Sequence, residues 1–152
     1  MTNDDIAREV LATTSYVVLS TADADGMPWA SPVWFATEDN AELFWVSHPG
    51  ARHSRNIAAR PQIAMVAFDS TAAPMTGQGV YLTAAAEQMT DPTEVARGID
   101  VFSRQSVRRG ARAMSLDDVT GEARLRFYRA QVHESWILDP DSPYDVRVGV
   151  EL

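Results

Sequence analysis

The 152-residue chain contains no cysteine, and all 13 of its basic residues are arginine. The first absence excludes disulfides, thiolate nucleophiles and zinc–thiolate sites. The missing lysine removes the amine that a Schiff-base mechanism needs. Histidine is scarce as well: His48, His53 and His133 form no i, i+4 pair and have no carboxylate pattern beside them of the kind a metal site uses. There is no G-x-S-x-G elbow, no G-x-x-x-x-G-K-[ST] loop, and no G-x-G-x-x-G opening a helix. Positive charge is in deficit at a formal −8, which argues against general nucleic-acid binding. No window approaches the roughly 20 apolar residues of a membrane span. Met1 to Thr14 reads as an acidic amphipathic segment rather than a signal peptide. The expectation is one domain, 1–152, at a cytoplasmic address.

Against that acidic background, three arginines fall within residues 52 to 60. They belong to Leu43 to Pro61, LFWVSHPGARHSRNIAARP, which reads as a strand, a tight turn at Pro49-Gly50 and a short helix ended by Pro61. A helix start offers free N–H groups and the positive end of its dipole, which suits a phosphate. Arg52 and Arg55 are three residues apart and share a helix face, so both can grip one anion. A solvated basic face is the plainer alternative.

The rest of the chain reads mainly as strands. Thr2 or Asn3 caps a helix through Asp4 and Asp5, with Ile6, Val10 and Leu11 at helical spacing. Strands are expected at Tyr16 to Ser20, Pro28 to Thr37, Leu43 to Ser47, Gln62 to Asp69, Gln78 to Met89, Arg124 to Leu138 and Val146 to Val150. Ala24-Asp25-Gly26 makes the first hairpin turn. Pro32 marks its strand as an edge or a bulge, because proline cannot donate to a ladder. Ala84 to Ala86 would also suit a helix. Thr90-Asp91-Pro92 caps a helix with a basic tail, and Ser115 with Asp117 and Asp118 forms one capped turn. Six or seven strands at this spacing imply a small β-barrel, with helical insertions after strands three and five.

Two stretches resemble the pyridoxamine 5′-phosphate oxidase-like family of FMN-binding proteins. STADADGMPWASPVWF resembles the family's opening hairpin, whose second strand lines the isoalloxazine ring. LFWVSHPGARHSRNIAARPQIAMVAFD resembles its phosphate segment, where a strand ends in a hydroxyl residue and an Arg-Lys pair opens the helix. Ser47 stands at the hydroxyl position, Arg52 at the arginine, His53 at the lysine, and Pro61 is in step. Gln78 stands near the glutamine that reaches the flavin. The resemblance implies a mainly β (α+β) fold, a split β-barrel of Greek-key character with antiparallel strands and short flanking helices. It implies cofactor contacts at Ser31, Pro32, Val33, Trp34, Val46, Ser47, Arg52, His53, Arg55 and Gln78. It also implies a homodimer with FMN at the interface and a small-molecule substrate. Trp34 or Trp45 would supply an aromatic wall, and Arg104 to Ser106 with the strand around Trp136 would supply second-subunit contacts.

Two departures shape the functional expectation. His53 replaces the lysine, and the ending DVRVGVEL lacks the Arg-x-His-type tail of true pyridoxamine phosphate oxidases. A flavin-dependent oxidoreductase acting on another substrate is therefore expected. Arg55-Asn56-Ile57 resembles R-N-L of deazaflavin-dependent relatives and motivates deazaflavin as the alternative cofactor. A non-catalytic flavin- or haem-binding protein, with His48 or His133 as axial ligand, is the third reading. The fourth is an interaction domain without cofactor.

Overall fold

The computed structural model describes Met1–Leu152. Helix α1 (Asn3–Thr13) starts at a capping box in which the Thr2 and Asp5 side chains each bond the other's backbone N–H. Strands β1 (Tyr16–Ala22) and β2 (Pro28–Trp34) then form a hairpin. Its turn is set by the Asp23 carboxylate, which accepts from the Asp25 and Met27 N–H groups, and by Gly26 at φ +88°. β3 (Glu42–Ser47), α2 (Arg52–Ala59), β4 (Gln62–Phe68) and β5 (Gly79–Gln88) follow. Arg60, held extended before Pro61, ends α2 as the sequence requires. Asp91 caps the long α3 (Pro92–Arg108) by accepting from the Glu94 N–H, with Pro92 in the first turn. A 3-10 turn (Leu116–Asp118), β6 (Arg126–Leu138) and β7 (Arg147–Gly149) complete the chain.

All strands pair antiparallel in the order β2-β1-β4-β5-β6-β3, with β7 added to β6. The alanine run that would suit a helix lies in β5, where it pairs with both β4 and β6 and carries a bulge between Thr83 and Ala84. β2 stops at Trp34, short of Thr37, because its partner β1 begins at Tyr16 opposite that residue. The edge strands β2 and β3 meet only at one bridge, Ala36 with Phe44. The barrel is therefore split rather than closed, and Pro32 sits on an edge strand.

Two cores hold this shape. Inside the curled sheet lie Val17, Leu19, Leu43, Trp45, Met65, Leu82, Tyr128 and Ile137, with Ala7 and Leu11 of α1 packed against them. On the other face of β3 and β6, α3 packs Val95, Ile99 and Phe102 onto Phe44 and Phe127. Phe44 and Phe127 stack at 5.6 Å, and Phe102 meets Phe127 edge-on at 5.9 Å. An ion-pair cluster ties α3 to the sheet: Arg129 of β6 reaches Glu42, Glu87 and Glu94, while Arg97 reaches Glu42 and Glu94. No helix is long and apolar enough to cross a membrane.

Candidate functional site

The split between β2 and β3 is lined by backbone. In the β1–β2 ladder the pairs that exchange hydrogen bonds alternate. The Phe35 N–H donates to the Ser15 carbonyl and the Asp23 N–H to the Met27 carbonyl, which puts the bonded pairs at odd positions of β2. Ser31 and Val33 therefore spend their backbone groups on β1. Ala30, Pro32 and Trp34 turn theirs the other way, towards β3. Ala36, next in that series, exchanges both of its bonds with Phe44. Val46, two residues beyond Phe44, turns its backbone into the same split. Between the bridge and the start of α2, the donors of Ala30 and Trp34 and the carbonyls of Ala30, Pro32 and Trp34 have no strand to pair with.

The start of α2 stands at the open end of the split. Ala51 is the N-cap and supplies no side-chain cap, so the helix begins without a protein acceptor over its first N–H groups. His48, Pro49 and Gly50 build the turn before it: the His48 carbonyl accepts from the Ala51 N–H and its Nδ1 from the Gly50 N–H. Arg55 donates back to the Gly50 carbonyl and braces the turn. Asn56, buried, donates to Thr21 Oγ1 at 3.0 Å, and Thr21 in turn donates to the Trp29 carbonyl. This chain fixes α2 against β1 and β2.

Three of the residues singled out from the sequence come together here. The His53 Nε2 lies 2.7 Å from Ser47 Oγ, joining the first turn of α2 to the end of β3. The Arg52 guanidinium sits 4.4 Å over the Trp29 ring. Trp29 is 41% exposed, so the pair is open to solvent and to a ligand. It is the aromatic partner that sequence reasoning missed, since nothing local connects residue 29 with residue 52. Trp45 is fully buried against Tyr128 and cannot wall a ligand; Trp34 packs edge-on against Phe102. Gln78 lies apart from the group: its amide donates to the Leu138 carbonyl and accepts from the Leu138 N–H, at the end of β6 opposite the Ser47–Arg126 pairing.

Carboxylates do not balance the positive charge at this corner. Arg8, Arg97, Arg104, Arg112, Arg129 and Arg147 all pair with carboxylates. Arg52, Arg55 and Arg60 do not: their partners are an aromatic face, the Gly50 carbonyl and the Ala24 carbonyl. Ser54, in the first turn, keeps a buried hydroxyl without a partner. The result is an uncompensated positive site on a uncapped helix start.

Burial pushes the His53 imidazole below its ordinary 6.5 by disfavouring the charged form. The unfolded chain then takes up the proton more readily than the folded one. This contribution to stability is complete above the unfolded value and is lost as pH falls through the folded one. Urea midpoints should therefore drop more steeply for the wild type than for His53→Gln as pH falls below about 6.5. Equal pH slopes in the two proteins would count against a buried neutral imidazole.

A family model for pyridoxamine 5′-phosphate oxidase matches residues 4–137. The chain belongs to that family. Among solved structures, HutZ, the haem storage protein from Vibrio cholerae, is 20% identical with a TM-score of 0.68, over 88% of this chain and 92% of that one. A haem-binding protein from Mycobacterium smegmatis is 18% identical with a TM-score of 0.72, and the alignment covers 98% of this chain but 57% of that one. An FAD-binding protein from Mesorhizobium loti is 18% identical with a TM-score of 0.64, over 87% of this chain and 91% of that one. No curated protein matches the sequence. At these identities the neighbours establish a shared fold. In this member of the pyridoxamine 5′-phosphate oxidase family, the imidazole of His53 contacts Ser47.

Proposed function

We propose that the chain is an FMN-dependent oxidoreductase whose cofactor lies in the split between β2 and β3. The observation that carries this reading is the unpaired positive charge at the uncapped start of α2, beside an edge strand with free donors and acceptors. Arg52, His53 and the first N–H groups of α2 would hold the phosphate, with Ser47 orienting the imidazole. The free edge of β2 from Ala30 to Trp34 would read the ring's polar atoms, and Trp29 would shelve the guanidinium. Bound FMN supplies hydride transfer; the protein supplies orientation and electrostatics. The residues fit a phosphate-bearing ligand better than a neutral one. Protein as purified should be yellow, or take up FMN more tightly than riboflavin, and a colourless protein that binds neither would overturn the proposal.

A second reading is favoured by His48. Its Nδ1 accepts from the Gly50 N–H, which leaves Nε2 free on an exposed residue, in the turn that Arg55 braces and just before Arg52. That set would serve a haem, with imidazole on the iron and guanidinium groups on the propionates. His133 is less suitable, because its cleft also holds Asp4, Glu134 and Glu151. Titration with haem, FMN and deazaflavin side by side separates the readings: a Soret band without flavin uptake supports haem.

The same reading includes a homodimer. Pro32, Val18, Val66, Tyr81 and Trp136 stand in register across five strands on the outer face of the sheet. Val18, Val66, Tyr81 and Trp136 border an apolar cleft of about 550 Å3, with Arg147 at its rim stacked 4.3 Å over Tyr81. A contiguous apolar face of this kind is characteristic of an interface, and a second copy would cover it. Val66→Arg should convert the dimer to monomer in sedimentation velocity and weaken FMN uptake with it. A variant that stays dimeric would place the interface elsewhere.

A further inference from the structure

The opposite end of β2 carries a second concentration of arginine, which the split does not use. Between the C-terminal ends of α1 and α3 lies a cleft of about 410 Å3, within the usual size range of small-ligand sites. Arg8, Arg108 and Arg109 line it. Its floor is apolar, made by Leu11, Trp34 and Phe35. The only carboxylate on its wall, Glu38, is already neutralised by Arg104 at 3.0 Å.

The three arginines differ in how far they are compensated. Arg8 reaches Asp5 at 3.7 Å and donates to the Glu151 carbonyl. Arg109 donates to Ser15 Oγ and the Ala12 carbonyl, both neutral, so its position is fixed while its charge is unbalanced. Arg108, in the last turn of α3, meets no carboxylate. A cation at a helix C-terminus offsets the dipole of its own helix, and Arg108 in the last turn and Arg109 at the C-cap of α3 both stand there. The dipole does not account for their lining one cavity together with Arg8 of α1 in a protein of net charge −8. The Thr14 hydroxyl at the border of the cleft is buried without a hydrogen-bond partner, a further polar group left open.

We propose that this cleft binds a small organic anion, a carboxylate or phosphate ester on a flat apolar body, independently of the flavin site. Arg108 and Arg109 take the anionic group, and Leu11, Trp34 and Phe35 take the body. Guanidinium groups suit an oxyanion because their paired donors match its oxygens, and an apolar floor selects against inorganic ions.

Phenyl phosphate, inorganic phosphate and benzyl alcohol, titrated against the full chain with tryptophan fluorescence and thermal shift as readouts, test this. Phenyl phosphate should give a saturable signal in the wild type and in Arg52→Ala alike, and the other two probes should bind at least tenfold more weakly. Arg108→Ala should weaken phenyl phosphate several-fold, and the Arg108→Ala/Arg109→Ala pair by tenfold or more. Because Arg109 also ties α3 to α1, the single Arg108→Ala variant and an Arg109→Lys variant keep the test valid if the pair unfolds. FMN affinity should be the same in Arg108→Ala as in the wild type. The proposal is overturned if phenyl phosphate gives no saturable signal, if Arg52→Ala abolishes it, or if FMN binding is lost on changing Arg108.

Discussion

Arg52→Ala is expected to weaken FMN binding by about 1.5–3 kcal/mol, roughly tenfold to a hundredfold, the scale of a hydrogen bond to a charged group. The side chain is exposed, pairs with no carboxylate and rests on the Trp29 ring, so its removal breaks no ion pair and opens no cavity. Stability should change little, which separates a binding defect from a folding one. Riboflavin is the informative control because it lacks the phosphate. The variant should lose most of the preference for FMN over riboflavin while riboflavin itself binds as before. Trp29→Leu should produce a smaller loss, about 0.5–1 kcal/mol, since it frees the guanidinium from its shelf without removing the charge. Isothermal titration of the two ligands against the three proteins reads all of this. An FMN-to-riboflavin ratio unchanged in Arg52→Ala would move the phosphate away from α2.

The reason Arg52 was legible in the sequence, and Trp29 was not, is the range over which each signal acts. Pro49-Gly50, the basic segment and Pro61 are neighbours in the chain, so turn and helix chemistry alone define the start of α2. The Asp-Gly turn and the Asp91-Pro92 cap are local in the same sense, and both elements form where they are expected. The split depends instead on where β3 lies relative to β2. Only the Ala36–Phe44 bridge reveals that, together with the alternation that turns Pro32 and Trp34 outward and Ser31 and Val33 towards β1. Residue-by-residue resemblance treats Ser31 to Trp34 as one strand of contacts; the register divides them into two sets with different edges. Gln78 illustrates the same limit. Its position in the sequence fits a ligand-reaching glutamine, but in three dimensions Leu138, 60 residues away, takes both ends of its amide.

Gly98 is where the second large effect is expected. A Cβ there would lie 2.5 Å from Phe127 Cε1 and 3.1 Å from Phe44 Cε1, so α3 approaches β3 and β6 as closely as it does because this residue has no side chain. Phe127 cannot simply swing away, being stacked on Phe44 and held edge-on by Phe102. Gly98→Ala gains about 1 kcal/mol in helix propensity but overpacks the contact, and overpacking costs about 1–3 kcal/mol. Alanine should therefore leave the protein at best unchanged and at worst about 2 kcal/mol less stable. Leucine, with three further carbons directed into the same rings, should cost about 3 kcal/mol or more and lower the melting temperature by roughly 6–12 °C. Pairing Gly98→Leu with Phe127→Ala tests the cause. If the clash is with that ring, the double variant should be more stable than the sum of the single changes by about 0.5–3 kcal/mol. Strict additivity would mean that α3 shifts as a body, and the split barrel would then tolerate a helix farther from its sheet.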